Sequence, residues 1–182
     1  MDAKNISDER FTIADIINLP EGVHMEMIDG EVYDMSAPSP IHQQIVAFFV
    51  HKISEHIDNT HKECSVYPAP FGVFLSKDEE TYLEPDVSVI CDKSKISDRG
   101  CEGAPDWIIE VVSPSSKSMD YLRKLHQYRK CGVRLYWIVD PISQCILVHE
   151  LFSGDQSKHG FDEKIPVSIC DGLVIDMKRV CG

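Results

Sequence analysis

Two β-branched runs, each with an acid in its interior, constrain this chain more than any other feature. One is Leu83-Glu84-Pro85-Asp86-Val87-Ser88-Val89-Ile90; the other is Ala104-Pro105-Asp106-Trp107-Ile108-Ile109-Glu110-Val111-Val112-Ser113. Short Val/Ile-rich runs of this kind form buried strands. A carboxylate among such side chains is costly unless something compensates its charge. Two such acids on consecutive strands can share one remedy, a divalent cation. Asp86 and Glu110 are therefore the candidate functional pair.

Composition sets the bounds. At 182 residues, 43% hydrophobic and 26% charged, the chain has the length and balance of one soluble domain with its own core. The apolar stretch Ile45 to Val50 is broken by His51 and Lys52, too short to span a bilayer. Met1 to Arg10 is polar and acidic, unlike a secretory leader. Seven cysteines with no CxxC pair predict free thiols rather than a disulfide framework, with Cys64, Cys91, Cys145 and Cys170 as small core residues and a cytoplasmic setting. The net charge of −12 opposes nucleic-acid binding at long range. It is uneven: between 117 and 134, Lys117, Arg123, Lys124, Arg129, Lys130 and Arg134 face Asp120 alone, so this segment offers either a basic face or a solvated helix surface.

Patterning predicts the elements. Phe11 to Leu19 carries a short helical period, and Asp29-Gly30 between Met25–Ile28 and Val32–Met35 marks a type I′ hairpin. Ser39-Pro40 opens a long amphipathic helix to about Ile57. Strands are expected at Cys64–Tyr67, Phe71–Leu75, Leu83–Ile90 and Trp107–Val112, with a long loop from Asp92 to Glu102. A second helix begins at Ser113-Pro114-Ser115-Ser116 and stops at Cys131-Gly132. Leu135–Val139, Cys145–Phe152 and Val167–Ile169 with Val174–Ile175 complete the pattern. The expected architecture is α/β, a mixed central sheet flanked by helices.

The order of these pieces is specific as a set. Glu26-Met27-Ile28-Asp29-Gly30-Glu31 and His42 come first, then Pro85-Asp86, Ala104-Pro105-Asp106 and Glu110-Val111-Val112-Ser113-Pro114. Asp120, Lys124-Leu125, Tyr128, Gly132-Val133 and Tyr136-Trp137-Ile138-Val139-Asp140-Pro141 follow, with Ser168 and Gly172-Leu173 late. With these residues the chain resembles the PD-(D/E)XK nuclease superfamily, and more closely the Uma-type family of putative restriction endonucleases. The resemblance runs over nearly the whole chain and implies a single nuclease-like domain, 1–182, with a restriction-endonuclease-like fold. One departure is visible: the superfamily's lysine two residues after the strand acid is Val112 here, and the family pattern moves it to Lys124 on the following helix. Lys124, three residues after Tyr121 and four before Tyr128, borders that helix's apolar stripe, where it is either an inward-reaching amine or a snorkelling surface lysine.

The resemblance implies a metal-dependent endonuclease that hydrolyses phosphodiester bonds in DNA. Asp86, Glu110 and Lys124 would be catalytic, and Asp86, Glu110 and the backbone carbonyl of Val111 would bind the metal. Hard oxygen donors suit Mg²⁺ or Mn²⁺. Glu26, His42 and Asp120 are supporting candidates, each with a structural alternative: a strand-end acid, a helix-start histidine, and a helical ion pair with Lys124. Asp106 shares strand parity with Glu110 but sits where an acid makes a strand-entry hydrogen bond. The resemblance further implies a homodimer, to which apolar residues such as Leu173 to Ile175 would contribute. No phosphate loop, GxGxxG, HExxH or GxSxG is present. The second expectation, which the net acidity favours, is a nuclease-fold binding or assembly module without cleavage activity.

Overall fold

The computed structural model describes residues 10–180 apart from 21, 36, 62, 76–79 and 114–118. In chain order these residues form α1 (Ile13–Ile17), β1 (Met25–Ile28), β2 (Glu31–Asp34), α2 (Pro40–Thr60), β3 (Ser65–Pro68), β4 (Val73–Phe74), β5 (Tyr82–Leu83) and β6 (Val87–Ile90). There follow β7 (Ile96–Ser97), β8 (Gly100–Glu102), β9 (Trp107–Val111), a wide π-helical stretch Met119–Lys124, and α3 (Leu125–Cys131). The chain closes with β10 (Leu135–Asp140), β11 (Cys145–Glu150), β12 (Gln156–Gly160), β13 (Lys164–Pro166) and β14 (Val174–Asp176).

Local chemistry explains the main boundaries. The β1–β2 turn takes its left-handed central residues from Asp29 and Gly30, at φ 50° and 77°. Ser39 caps α2 by accepting from the His42 backbone N–H, with Pro40 in the first turn. Gly132, at φ 89°, ends α3.

The larger sheet has the order β12-β11-β10-β9-β6-β3; β9 and β10 run parallel and their outer neighbours antiparallel. Alternation along β9 divides the core. Trp107, Ile109 and Val111 pack with Ile45, Phe49 and Ile53 of α2, while Ile108 and Val112 pack with Tyr128 of α3 and with Val73 and Leu83 of the second sheet. That second sheet has the order β2-β1-β5-β4-β8-β7. Glu110 shares the parity of Ile108 and Val112, so it faces α3 and the second sheet.

Several expectations need correction. Leu83–Ile90 is not one strand: Tyr82–Leu83 belongs to the smaller-strand sheet and Val87–Ile90 to the larger, and Glu84-Pro85-Asp86 carries the chain between them. Pro85 has no N–H for a ladder, which favours the break there. The long loop after β6 folds into the β7–β8 hairpin. The strand expected at Val167–Ile169 forms one turn earlier as β13, and polar β12 was not anticipated at all. Leu173 and Ile175 lie in the core under α2, while Val174 between them is exposed. Cys64 and Cys91 are joined in a disulfide rather than free. The β3–β6 register pairs Ser65 with Ile90, which sets the two cysteines opposite each other one step further on. Cysteine usage therefore gives no reason to place the protein in reducing cytosol. Cys145 and Cys170 are buried, as expected. Pro114 to Ser116, the expected helix start, and Lys117 lie outside the described residues. Among the described residues no helix is long and apolar enough to cross a membrane.

Candidate active site

The strand register brings the two acids together. β6 and β9 pair antiparallel with Val87 opposite Ile109, so Asp86 stands opposite Glu110 one step beyond the ladder. Directly opposed residues in such a pair project to the same face, with Cβ atoms about 5 Å apart. Main-chain donors fix both: the Val111 N–H donates to Asp86 Oδ2 at 2.7 Å, and the Asp86 N–H donates more weakly to Glu110 Oε2 at 3.4 Å. His42, in the first turn of α2, brings Nε2 to 3.1 Å from Asp86 Oδ2.

Lys124 enters from the junction of the π-helical stretch and α3. Its Nζ lies 2.9 Å from Glu110 Oε1 and 2.9 Å from Glu26. Lys124 is 5% exposed, Glu26 7% and Glu110 4%, so this is an inward-reaching amine rather than a snorkelling surface one. π-helical turns such as 119–124 are rare and frequently lie at functional sites. The Tyr128 hydroxyl, one turn on, donates to Glu110 Oε1 at 2.8 Å. Burial, reinforced by the Glu110 carboxylate, holds that phenol well above its ordinary range, so it remains a proton donor.

A second ring of contacts was not anticipated. The Glu84 N–H donates to Glu26 Oε1 at 3.1 Å, while the Glu84 carboxylate accepts from the Tyr82 hydroxyl at 2.7 Å and lies 3.2 Å from His24 Nδ1. Glu84 carries the signal that singled out Asp86, an acid inside an apolar run. Glu26 could be anchored this way only because the chain changes sheets at Pro85, which periodicity does not reveal. Asp106 stays out of the site: it accepts from the Cys91 N–H at 2.8 Å and lies 3.3 Å from Arg134. The side chain of Asp120 lies outside the described residues.

Part of the positive charge between 117 and 134 is paired or buried, while Arg129 and Lys130 lie exposed on α3. Arg123 pairs with Glu31 at 2.7 Å and stacks over Tyr33, Arg134 pairs with Asp106, and Lys124 is buried. In the loop after β6, Lys95 donates to the Ala104 carbonyl and Arg99 pairs with Glu102.

The donor set suits a hard divalent cation. Asp86 and Glu110 present two carboxylates side by side. The N–H and C=O of one strand residue point to the same neighbour, so the Val111 carbonyl is directed to the side where its N–H meets Asp86. Among the described residues no three acids, histidines or cysteines form a ready cage.

A family model described as Uma2, putative restriction endonuclease, matches residues 10–178. The chain belongs to the Uma2 family. Its fold is also that of a putative nuclease belonging to DUF820 from Anabaena variabilis, at 22% identity and a TM-score of 0.77, covering 94% of this chain and 97% of that one. This likeness shows a restriction-endonuclease-like fold for the Uma2 chain. No curated protein matches it.

Proposed function

We propose that the protein is a Mg²⁺- or Mn²⁺-dependent endonuclease that hydrolyses phosphodiester bonds in DNA. The observation that carries this reading is the convergence of Asp86, Glu110 and the buried Lys124 amine on one sheet end, from three separate elements. A buried lysine between two carboxylates carries a desolvation cost that a surface pair avoids, which supports a functional role for the cluster.

Asp86, Glu110 and the Val111 carbonyl would hold the metal, which when bound supplies Lewis-acid polarisation of the phosphate and a more acidic water. Lys124 would supply its ammonium to the charge that develops on the phosphorane-like transition state. Glu26 shares that amine with Glu110, and Tyr128 fixes the Glu110 carboxylate without adding charge. His42 orients Asp86. By this reading two copies cooperate on a duplex, since a C₂ pair is the commonest assembly and each strand needs a site. Sedimentation that shows only the 20.6 kDa monomer at high concentration would remove that part.

The net charge of −12 favours a second reading, a binding or assembly module on a nuclease fold. Incubation with plasmid, single-stranded DNA and RNA, with Mg²⁺ or Mn²⁺ and with EDTA, separates the two. EDTA-sensitive cleavage supports the enzyme; no cleavage across the panel supports the module.

A further inference from the structure

Glu84 is a buried acid that the proposed hydrolysis does not use: it is 6% exposed, in the stretch that carries the chain from the second sheet to Asp86. Its Oε1 accepts from the Tyr82 hydroxyl at 2.7 Å. Burial, followed by that hydrogen bond, holds the phenol above its ordinary range, so Tyr82 donates but brings no positive charge. Among the described residues, the one group within ion-pair distance of Glu84 that can carry positive charge is His24, with Nδ1 3.2 Å from Oε2 and 3.5 Å from Oε1. A carboxylate only accepts hydrogen bonds, so Nδ1 carries the proton at this contact. Nε2 is left without a partner among the described residues, on a side chain that is 47% exposed.

His24 stands beside the acids and the amine. β1 and β5 pair antiparallel with Met27 opposite Tyr82, a register that, continued outward, sets His24 opposite Pro85 and next to Asp86. His24 and Glu26 share one side of β1: the His24 ring meets the Glu84 carboxylate, and the Glu26 carboxylate accepts from the Glu84 N–H. Two residues along a strand span about 7 Å, comparable with the step from one phosphate to the next along a nucleic-acid strand. Glu26 in turn holds Lys124, whose ammonium is assigned to the scissile phosphate. Resting on the nuclease reading, we infer that His24 is a substrate-binding residue: fixed by Glu84, it holds the phosphate one nucleotide along from the scissile one.

Charge explains why a histidine suits this place. Glu26, Glu84, Asp86 and Glu110 set four acids against the Lys124 amine, and a second phosphate brought among them is repelled. A protonated imidazole donates from both nitrogens. Nδ1 then faces Glu84 and Nε2 the phosphate, so one cation serves two anions. Both favour the charged ring: Glu84, braced by Tyr82 of β5, from one side, and the phosphate from the other. The Glu26 charge further along β1 is shared with Lys124 at the start of α3. Binding of a strand therefore draws a proton onto His24.

The test needs no cleavage. The full chain in EDTA is titrated into a fluorescein-labelled single-stranded DNA and followed by anisotropy over a range of salt, at about pH 6 and about pH 8, either side of the ordinary histidine value. Wild-type affinity should fall as pH rises. His24→Gln still donates to Glu84 but cannot charge. It should bind about tenfold more weakly at the lower pH and lose most of the pH dependence. Its salt slope should be shallower by about 0.7, the share of one phosphate contact on a single strand. The same change at His51, exposed on α2, should leave affinity and slope at their wild-type values. A lowered melting temperature in His24→Gln with an unchanged salt slope would make the pair purely structural and overturn the inference. An active nuclease whose His24→Gln variant binds DNA like the wild type refutes it and leaves the proposed function standing. A protein that binds no DNA refutes both. An inactive protein whose DNA affinity depends on His24 in this way supports the contact and removes only the cleavage.

Discussion

Lys124 Nζ lies 2.9 Å from Glu26 and 2.9 Å from Glu110, and all three side chains are buried. A partly exposed lysine would contribute little to folding, but a buried one between two acids contributes much. Lys124→Ala should therefore abolish cleavage and also destabilise the fold by about 3–5 kcal/mol, since it leaves two buried carboxylates without their shared cation. Urea unfolding measures the stability loss, and activity is compared at equal folded fraction. Unchanged stability would mean that the ammonium is not held between Glu26 and Glu110.

Glu26→Gln tests the anchoring of that amine. Glutamine keeps an acceptor for the Glu84 N–H but loses the charge facing Lys124. The expected cost is about 1–3 kcal/mol of stability, together with a fall in kcat larger than any change in KM. A change in KM alone would assign Glu26 to substrate binding.

Metal affinity follows the acid pair. Calorimetric titration with Mn²⁺ should show one site in the wild type, lost in the Asp86→Asn/Glu110→Gln double variant. Equal affinity in both would move the metal elsewhere.

The Cys64–Cys91 disulfide spans a sequence separation of 27 residues. Closing a loop of that length in the unfolded chain stabilises by about 3–4 kcal/mol on the chain-entropy account. Cys64→Ser/Cys91→Ser should lower the urea midpoint accordingly. An unchanged midpoint, with and without reductant, would mean that the bond does not form.

His149 supplies a pH dependence away from the site. It is buried against Tyr136, and burial, followed by the Arg129 charge, lowers its pKa from the ordinary histidine value. The folded state thus prefers neutral imidazole. Its contribution is fully present above about pH 6.5, the unfolded histidine value, and is lost as pH falls from there through the lower folded pKa. His149→Phe should flatten the acid side of the stability curve. A wild-type curve that is level over that window would contradict the assignment.

Much of the site was legible because the acids break strong local patterns. Asp86 and Glu110 stand out against Val and Ile, and strand parity alone sets Glu110 on the α3 face. Lys124 was legible through its spacing from Tyr121 and Tyr128, which puts it at the edge of a buried stripe. The partners of these residues were less so. Glu26 reaches Lys124 from a different sheet, across nearly a hundred residues of chain, and no local period encodes that approach. The cross-strand cysteines were hidden for the same reason: their pairing depends on the β3–β6 register, which hydrophobic alternation leaves open. Polar β12 escaped because Gln156 to Gly160 buries little and is held by its neighbour β11 rather than by its own side chains.

The most direct measurement compares wild type and Asp86→Asn on the same labelled DNA, at matched folded fraction by circular dichroism, in Mg²⁺ and in EDTA. The wild type should cleave only with metal, and the variant should be slower by at least about a hundredfold. Cleavage that persists in EDTA, or that proceeds equally in Asp86→Asn, would contradict a metal-dependent hydrolysis centred on Asp86, Glu110 and Lys124.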